Sequence, residues 1–154
     1  SGCRSSGGIV TDRIRVGSIQ VVLDEGRAAE TFNAVVVVLS ACGKVVLVIN
    51  ARRGWEFPGG HREDDESCRE TAAREALEEA GATISDIEYL GYYVAPTGRI
   101  AVITCAKAAS FGRPDDEHGV SGVGLFDELP ADLSFGDGRE QMFLEYARTR
   151  DRVS

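Results

Sequence analysis

Between His61 and Ala80 the chain carries eight acidic residues against three arginines, and three of the acids have a telling spacing. On a helix, where each residue advances by roughly 100°, Glu75, Glu78 and Glu79 fall within an arc of about 100°. Carboxylates packed that closely repel one another. A purely structural helix would set opposite charges among them, yet only Arg74 stands near. Oxygen ligands grouped on one helix face suit a hard divalent cation such as Mg²⁺ or Mn²⁺. The competing reading is an acidic face that is merely solvated. Just upstream, Trp55-Glu56-Phe57-Pro58-Gly59-Gly60 sets a rigid proline beside two residues that allow close backbone approach. Such a loop can aim a carbonyl oxygen at the same cation.

The elements that must hold these groups can be read from local pattern. Ser67 and Glu70 have the form of a capping box, and Gly81 is a good residue to end a helix, which predicts a helix over 68–80. Its apolar face is expected to be Ala73, Ala76, Leu77 and Ala80, with the glutamates opposite. Residues 14–23 read as one strand, 31–39 as a strand buried on both faces, and 44–50 as its return after a turn at 40–43. Arg52-Arg53-Gly54 breaks the pattern. Apolar runs at 87–94 and 100–108 flank Pro96-Thr97-Gly98 and predict a hairpin. A short strand at 123–126, a loop over 130–138, and a helix marked by Met142, Phe143, Tyr146 and Ala147 complete the pass.

With 154 residues, 43% of them hydrophobic and 27% charged, the chain fits one globular domain, expected over 13–150 after a disordered or appended segment at 1–12. Seventeen Lys+Arg against 25 Asp+Glu leave a net charge of −8, which argues against nucleic acid and anionic membrane as partners. An anionic substrate must then be met by local Arg or Lys, or by a metal ion. Cys3, Cys42, Cys68 and Cys105 form no CxxC pair, and with only His61 and His118 beside them they read as free thiols rather than a zinc site. Reduced thiols, no apolar run of membrane length and no signal core lead to the expectation of a cytoplasmic protein, monomeric or homodimeric.

Gly60, Glu66 and the run Arg74-Glu75-Ala76-Leu77-Glu78-Glu79-Ala80-Gly81-Ala82 resemble the Nudix box, G-x5-E-x7-R-E-U-x-E-E-x-G-U, at every charged and glycine position. Ala76 and Ala82 stand where bulkier aliphatic residues are usual. His61 stands where MutT-like members often have Lys, and Asp65 where they commonly have Gly; Asp tolerates the left-handed dihedrals such a turn needs. The resemblance implies an α/β/α sandwich with a mixed sheet, in which the box forms a loop–helix–loop. It implies metal-dependent hydrolysis of a nucleoside diphosphate linked to another group. By position, Glu78, Glu79 and the Gly59 carbonyl would hold Mg²⁺ or Mn²⁺. Glu75 would orient or deprotonate water or bind metal, with Glu66 and Arg74 in support. MutT-like members often add a later glutamate as ligand or base, for which Glu117 in Asp115-Asp116-Glu117 fits best.

The chemistry is consistent with the charges. A pyrophosphate repels both a water nucleophile and an acidic protein, and divalent ions shared with carboxylates cancel that charge. Arg52, Arg53 and His61 are candidates to hold phosphate oxygens. The Trp-Glu-Phe-Pro-Gly-Gly loop resembles the branch that converts nucleoside triphosphates, oxidised guanine nucleotides among them, to monophosphate and pyrophosphate. The runner-up is ADP-ribose or a sugar nucleotide, because Pro96 lies 15 residues after Gly81. A non-catalytic ligand sensor is the alternative of another class, but such modules typically lose box glutamates and here all are present.

Overall fold

The computed structural model describes residues 11–24, 31–112 and 120–153. Nine strands and two helices follow in the order β1 (Thr11–Val16), β2 (Ile19–Asp24), β3 (Ala34–Ala41), β4 (Lys44–Asn50), β5 (Trp55–Glu56), β6 (Gly59–His61), α1 (Cys68–Ala80), β7 (Ala82–Val94), β8 (Ile100–Phe111), β9 (Val120–Phe126) and α2 (Arg139–Val153). The strands form one mixed sheet ordered β1-β2-β7-β8-β3-β4-β5, with β6 added to β3 and β9 to β4. Among the described strands β3 and β8 form the parallel pair; Val35 faces Val102 and Val37 faces Thr104. The helices cover opposite faces. Val35, Val37 and Leu39 of β3 pack with Ala72, Ala76 and Ala80 of α1, whereas Val38 joins Leu47, Leu90, Ile103 and Phe143 on the α2 side. The valine run is apolar at successive positions because both faces of β3 are covered. The expected α/β/α sandwich with a mixed sheet is therefore what the chain forms. No helix among the described residues is long and apolar enough to cross a membrane.

Several local expectations are met. Helix α1 spans Cys68–Ala80, Ser67 and Glu70 close the capping box, and Gly81 ends the helix at φ 67°. The cap contributes about 1 kcal/mol. Asp65 adopts φ 28°, as its turn requires. Gly98 N–H donates to the Ala95 carbonyl at 2.8 Å in the β7–β8 turn.

Others are corrected. Residues 14–23 are two strands, not one: β1 and β2 fold against each other about Gly17-Ser18. Gly17 has φ +56°, and a Cβ there would stand 2.5 Å from Oδ2 of Asp137, so both dihedral and space demand glycine. The loop at 55–61 carries strands β5 and β6, too short to show a period and formed only through pairing with β4 and β3. Strand β1 begins at Thr11 and α2 continues to Val153.

The expected apolar face of α1 is also wrong. Leu77 is 53% exposed and Ala73 is exposed, while Cys68, Thr71, Ala72, Glu75, Ala76 and Ala80 are buried. The buried stripe is turned by about 100° toward the glutamates. Its small members Ala72, Ala76 and Ala80, at most 1% exposed, let the helix lie close on β3; a leucine in that stripe would hold it away.

Candidate active site

Close packing of α1 brings its acidic edge against β6. Glu75 is only 6% exposed, which removes the reading of a solvated acidic face. Two successive glycines receive the carboxylates. Gly59 N–H donates to Oε1 of Glu79 at 3.0 Å. Gly60 has no side chain where the Glu75 carboxylate lies, and a Cβ there would be 2.3 Å from its Oε2. Gly59 is constrained from the other side, since its own Cβ would meet the Val35 carbonyl oxygen at 2.3 Å. The glycine pair thus serves both the β6–β3 pairing and the carboxylates.

Arg74 organises the rest. Its Nε and Nη2 fork onto Glu66 at 2.7 and 3.1 Å, its Nη1 reaches Glu75 at 3.1 Å and Glu78 at 3.0 Å, and Nη2 donates to the His61 carbonyl at 2.7 Å. Glu66 also accepts from the Glu63 amide at 2.9 Å and the Thr71 hydroxyl at 3.0 Å. The hydrogen bonds from Arg74 lead in holding its carboxyl down to about 2. Glu79 is perturbed in the opposite sense. Burial pushes its carboxyl up to about 8; the Gly59 amide opposes this, and the negative charges of Glu75, Glu56 and Glu78 add to it.

That environment suits a cation. A half-buried carboxyl under the negative charge of three other carboxylates is a place where positive charge is stabilised, and an all-oxygen donor set matches Mg²⁺ or Mn²⁺. Among the described residues no three such groups yet converge as a cage, because Arg74 Nη1 contacts both Glu75 and Glu78 while Glu79 faces the Gly59 amide. The residues fit the ion by chemistry, and Glu78 must release Arg74 to take part.

The remaining candidates are dispersed. Arg53 forks onto Glu56 at 3.1 and 3.0 Å and lies 5.6 Å from the Phe135 ring centroid. Arg52 is exposed, and its amide donates to Asn50 Oδ1 at 2.9 Å. His61 is exposed beside Gly60, its ring against Arg99. Glu117 lies outside the described residues.

Two participants were missed from sequence. Glu56 bears on the charge of Glu79 and is held by Arg53 and by Ser134 Oγ at 2.6 Å; its place between Trp55 and Phe57 in the quoted loop was the available signal. Arg99 reaches His61 from the β7–β8 turn, across a sequence separation that no local pattern reveals.

The chain is similar to known proteins. Residues 30–141 match the NUDIX domain, a segment that contains the whole box. A Bacillus subtilis (strain 168) protein named 8-oxo-dGTP diphosphatase YtkD is 34% identical over 120 residues, covering 76% of each chain. The crystal structure of a mutant of the Bacillus subtilis pyrophosphohydrolase BsRppH superposes with TM-score 0.81 at 25% identity, covering 93% of this chain and 99% of the other. A MutT NUDIX hydrolase from Burkholderia pseudomallei shares the fold, with TM-score 0.57 at 22% identity over 76% of this chain and 98% of its own. A helix that lays its glutamates on a Gly-Gly strand, inside a family match spanning most of the chain, makes this protein a member of the Nudix hydrolase family.

Proposed function

We propose that the protein hydrolyses a nucleoside triphosphate, oxidised or not, to the monophosphate and pyrophosphate in the presence of Mg²⁺ or Mn²⁺. The observation that carries the reading is the convergence of Glu75 and Glu79 on Gly60 and Gly59, with Glu78 one contact away through Arg74. The Trp55-to-Gly60 loop and the name of the Bacillus subtilis relative support the choice of substrate. A bound divalent cation would neutralise pyrophosphate charge and make an attacking water easier to deprotonate.

The chain's own residues supply the rest. Glu78, Glu79 and the Gly59 carbonyl would hold the cation. Glu75, buried beside Gly60, orients the water or accepts its proton as oxygen adds to phosphorus and the bridging P–O bond breaks toward pyrophosphate. Arg74 and Glu66 fix the carboxylates; exposed Arg52 and His61 are the candidates to meet the substrate's phosphates, and Arg53 joins them only by leaving Glu56.

The test is a panel of nucleotides incubated with the full chain and Mg²⁺, with products identified. Release of pyrophosphate from dGTP or 8-oxo-dGTP is expected. Preferential release of AMP from ADP-ribose would replace the substrate assignment, and turnover undiminished in excess EDTA would defeat the metal assignment.

A further inference from the structure

We infer that Arg99, on the turn between β7 and β8, binds phosphate oxygens of the substrate together with His61. The inference rests on the pyrophosphohydrolase reading above and adds a binding residue from outside the box.

The placement is built in. Ala95 N–H donates to the Arg99 carbonyl at 2.9 Å, and Gly98, at φ +89°, closes the turn onto Ala95. Asn33 then ties this turn to the catalytic loop. Its amide donates to the Ile100 carbonyl at 2.8 Å, its Oδ1 accepts from Ile100 N–H at 2.9 Å, and its carbonyl accepts from Arg62 N–H at 2.9 Å. Arg99 and His61 are the chain neighbours of those two anchored residues. Their side chains meet, Arg99 Nη2 against His61 Nδ1, while the His61 carbonyl is bound by Arg74.

Charge explains what this pair is for. Arg53, Arg74 and Arg139 each already grip a carboxylate: Glu56, Glu66 and Asp137. Arg99 has no carboxylate partner among the described residues, and both it and His61 are exposed. A guanidinium without a carboxylate, meeting an imidazole one residue along β6 from Gly60, is suited to an anionic oxygen of the substrate. In a chain of net charge −8 such an opening must be local.

The experiment compares the parent, Arg99→Ala and Arg99→Lys as full chains with saturating Mg²⁺. Steady-state hydrolysis of dGTP, binding of inorganic pyrophosphate by calorimetry, and melting temperature are measured. Loss of a charge-assisted contact should raise KM for dGTP by about 10- to 100-fold in Arg99→Ala with kcat within about threefold, and weaken pyrophosphate binding about tenfold or more. Arg99→Lys should recover part of both, and melting should not move. An unchanged KM, or a fall in kcat that follows a lowered melting temperature, overturns the inference. If the parent does not turn over dGTP, the substrate reading fails while the Arg99 assignment is still decided: tenfold weaker pyrophosphate binding in Arg99→Ala upholds it, and equal or absent binding in the parent rejects it.

Discussion

The carboxylate of Glu75 occupies the space that a side chain on Gly60 would need, with Oε2 standing 2.3 Å from that Cβ position. The atoms that must yield in a Gly60→Ala protein are the far end of a flexible side chain, so the fold should survive and the carboxylate should be displaced. Turnover should fall by roughly two orders of magnitude or more with little change in melting. Gly59→Ala should behave differently, because its Cβ meets the backbone oxygen of Val35 at 2.3 Å; destabilisation of about 2 kcal/mol or more is expected. Urea titrations and initial rates on the two variants check the contrast. Equal stability losses would contradict it.

Glu79→Gln keeps size and removes charge. Loss of a group proposed to hold the cation should lower the rate by roughly two to four orders of magnitude, and Glu78→Gln and Glu75→Gln should fall in the same range. Glu70→Gln should leave turnover nearly intact, since Gln can replace Glu in the box with Ser67. Normal rates in all four variants would remove the catalytic assignment.

Stability without metal should depend on pH through Glu79. Its folded value of about 8 lies above the ordinary 4.5, so the native chain binds more protons between those values, and its contribution to stability is lost as pH rises through that window. Denaturation in EDTA at pH 5 and pH 8.5 should show the parent losing about 2–4 kcal/mol relative to Glu79→Gln. Saturating Mg²⁺ should cancel the loss. Glu66 acts in the opposite sense: held at about 2 against an ordinary 4.5, its contribution is present above 4.5 and disappears as pH falls toward 2.

The orientation of α1 makes a separate prediction. Leu77→Lys, at a position 53% exposed, should change stability by no more than about 0.5 kcal/mol. Ala76→Leu, at a position with no exposure, should cost about 1–3 kcal/mol by overpacking. Had the apolar face been centred on Leu77, the first change would be the damaging one.

These results also mark what the sequence discloses. The limits of α1 were legible because Ser67, Glu70 and Gly81 act locally, through bonds to backbone within a turn. Its orientation was not, because the sole large apolar residue, Leu77, is the one left outside while alanines make the contact. The glutamates were legible as a group by helical spacing alone. That Glu75 is buried and Glu79 half-buried against Gly59 depends on β6, whose three residues Gly59–His61 pair with β3 but show no strand pattern of their own. Gly17 did carry a turn signal within 14–23, masked by the apolar residues on both sides. The meeting of Arg99 with His61 is a product of topology.

The parallel pairing of β3 with β8 bears on how the chain acquires activity. Glycines on β6 can align with β3 as soon as the first half of the chain collapses, because Val35 and Gly60 are moderately close in sequence. Val35 meets Val102 only after the box helix, all of β7 and the following turn have been traversed, so a large loop must close first. Contacts of this range slow folding. In refolding from denaturant, the far-ultraviolet helical signal of α1 should therefore return before catalysis. A chain emerging from the ribosome would complete its carboxylate site only once β8 is available to brace β3.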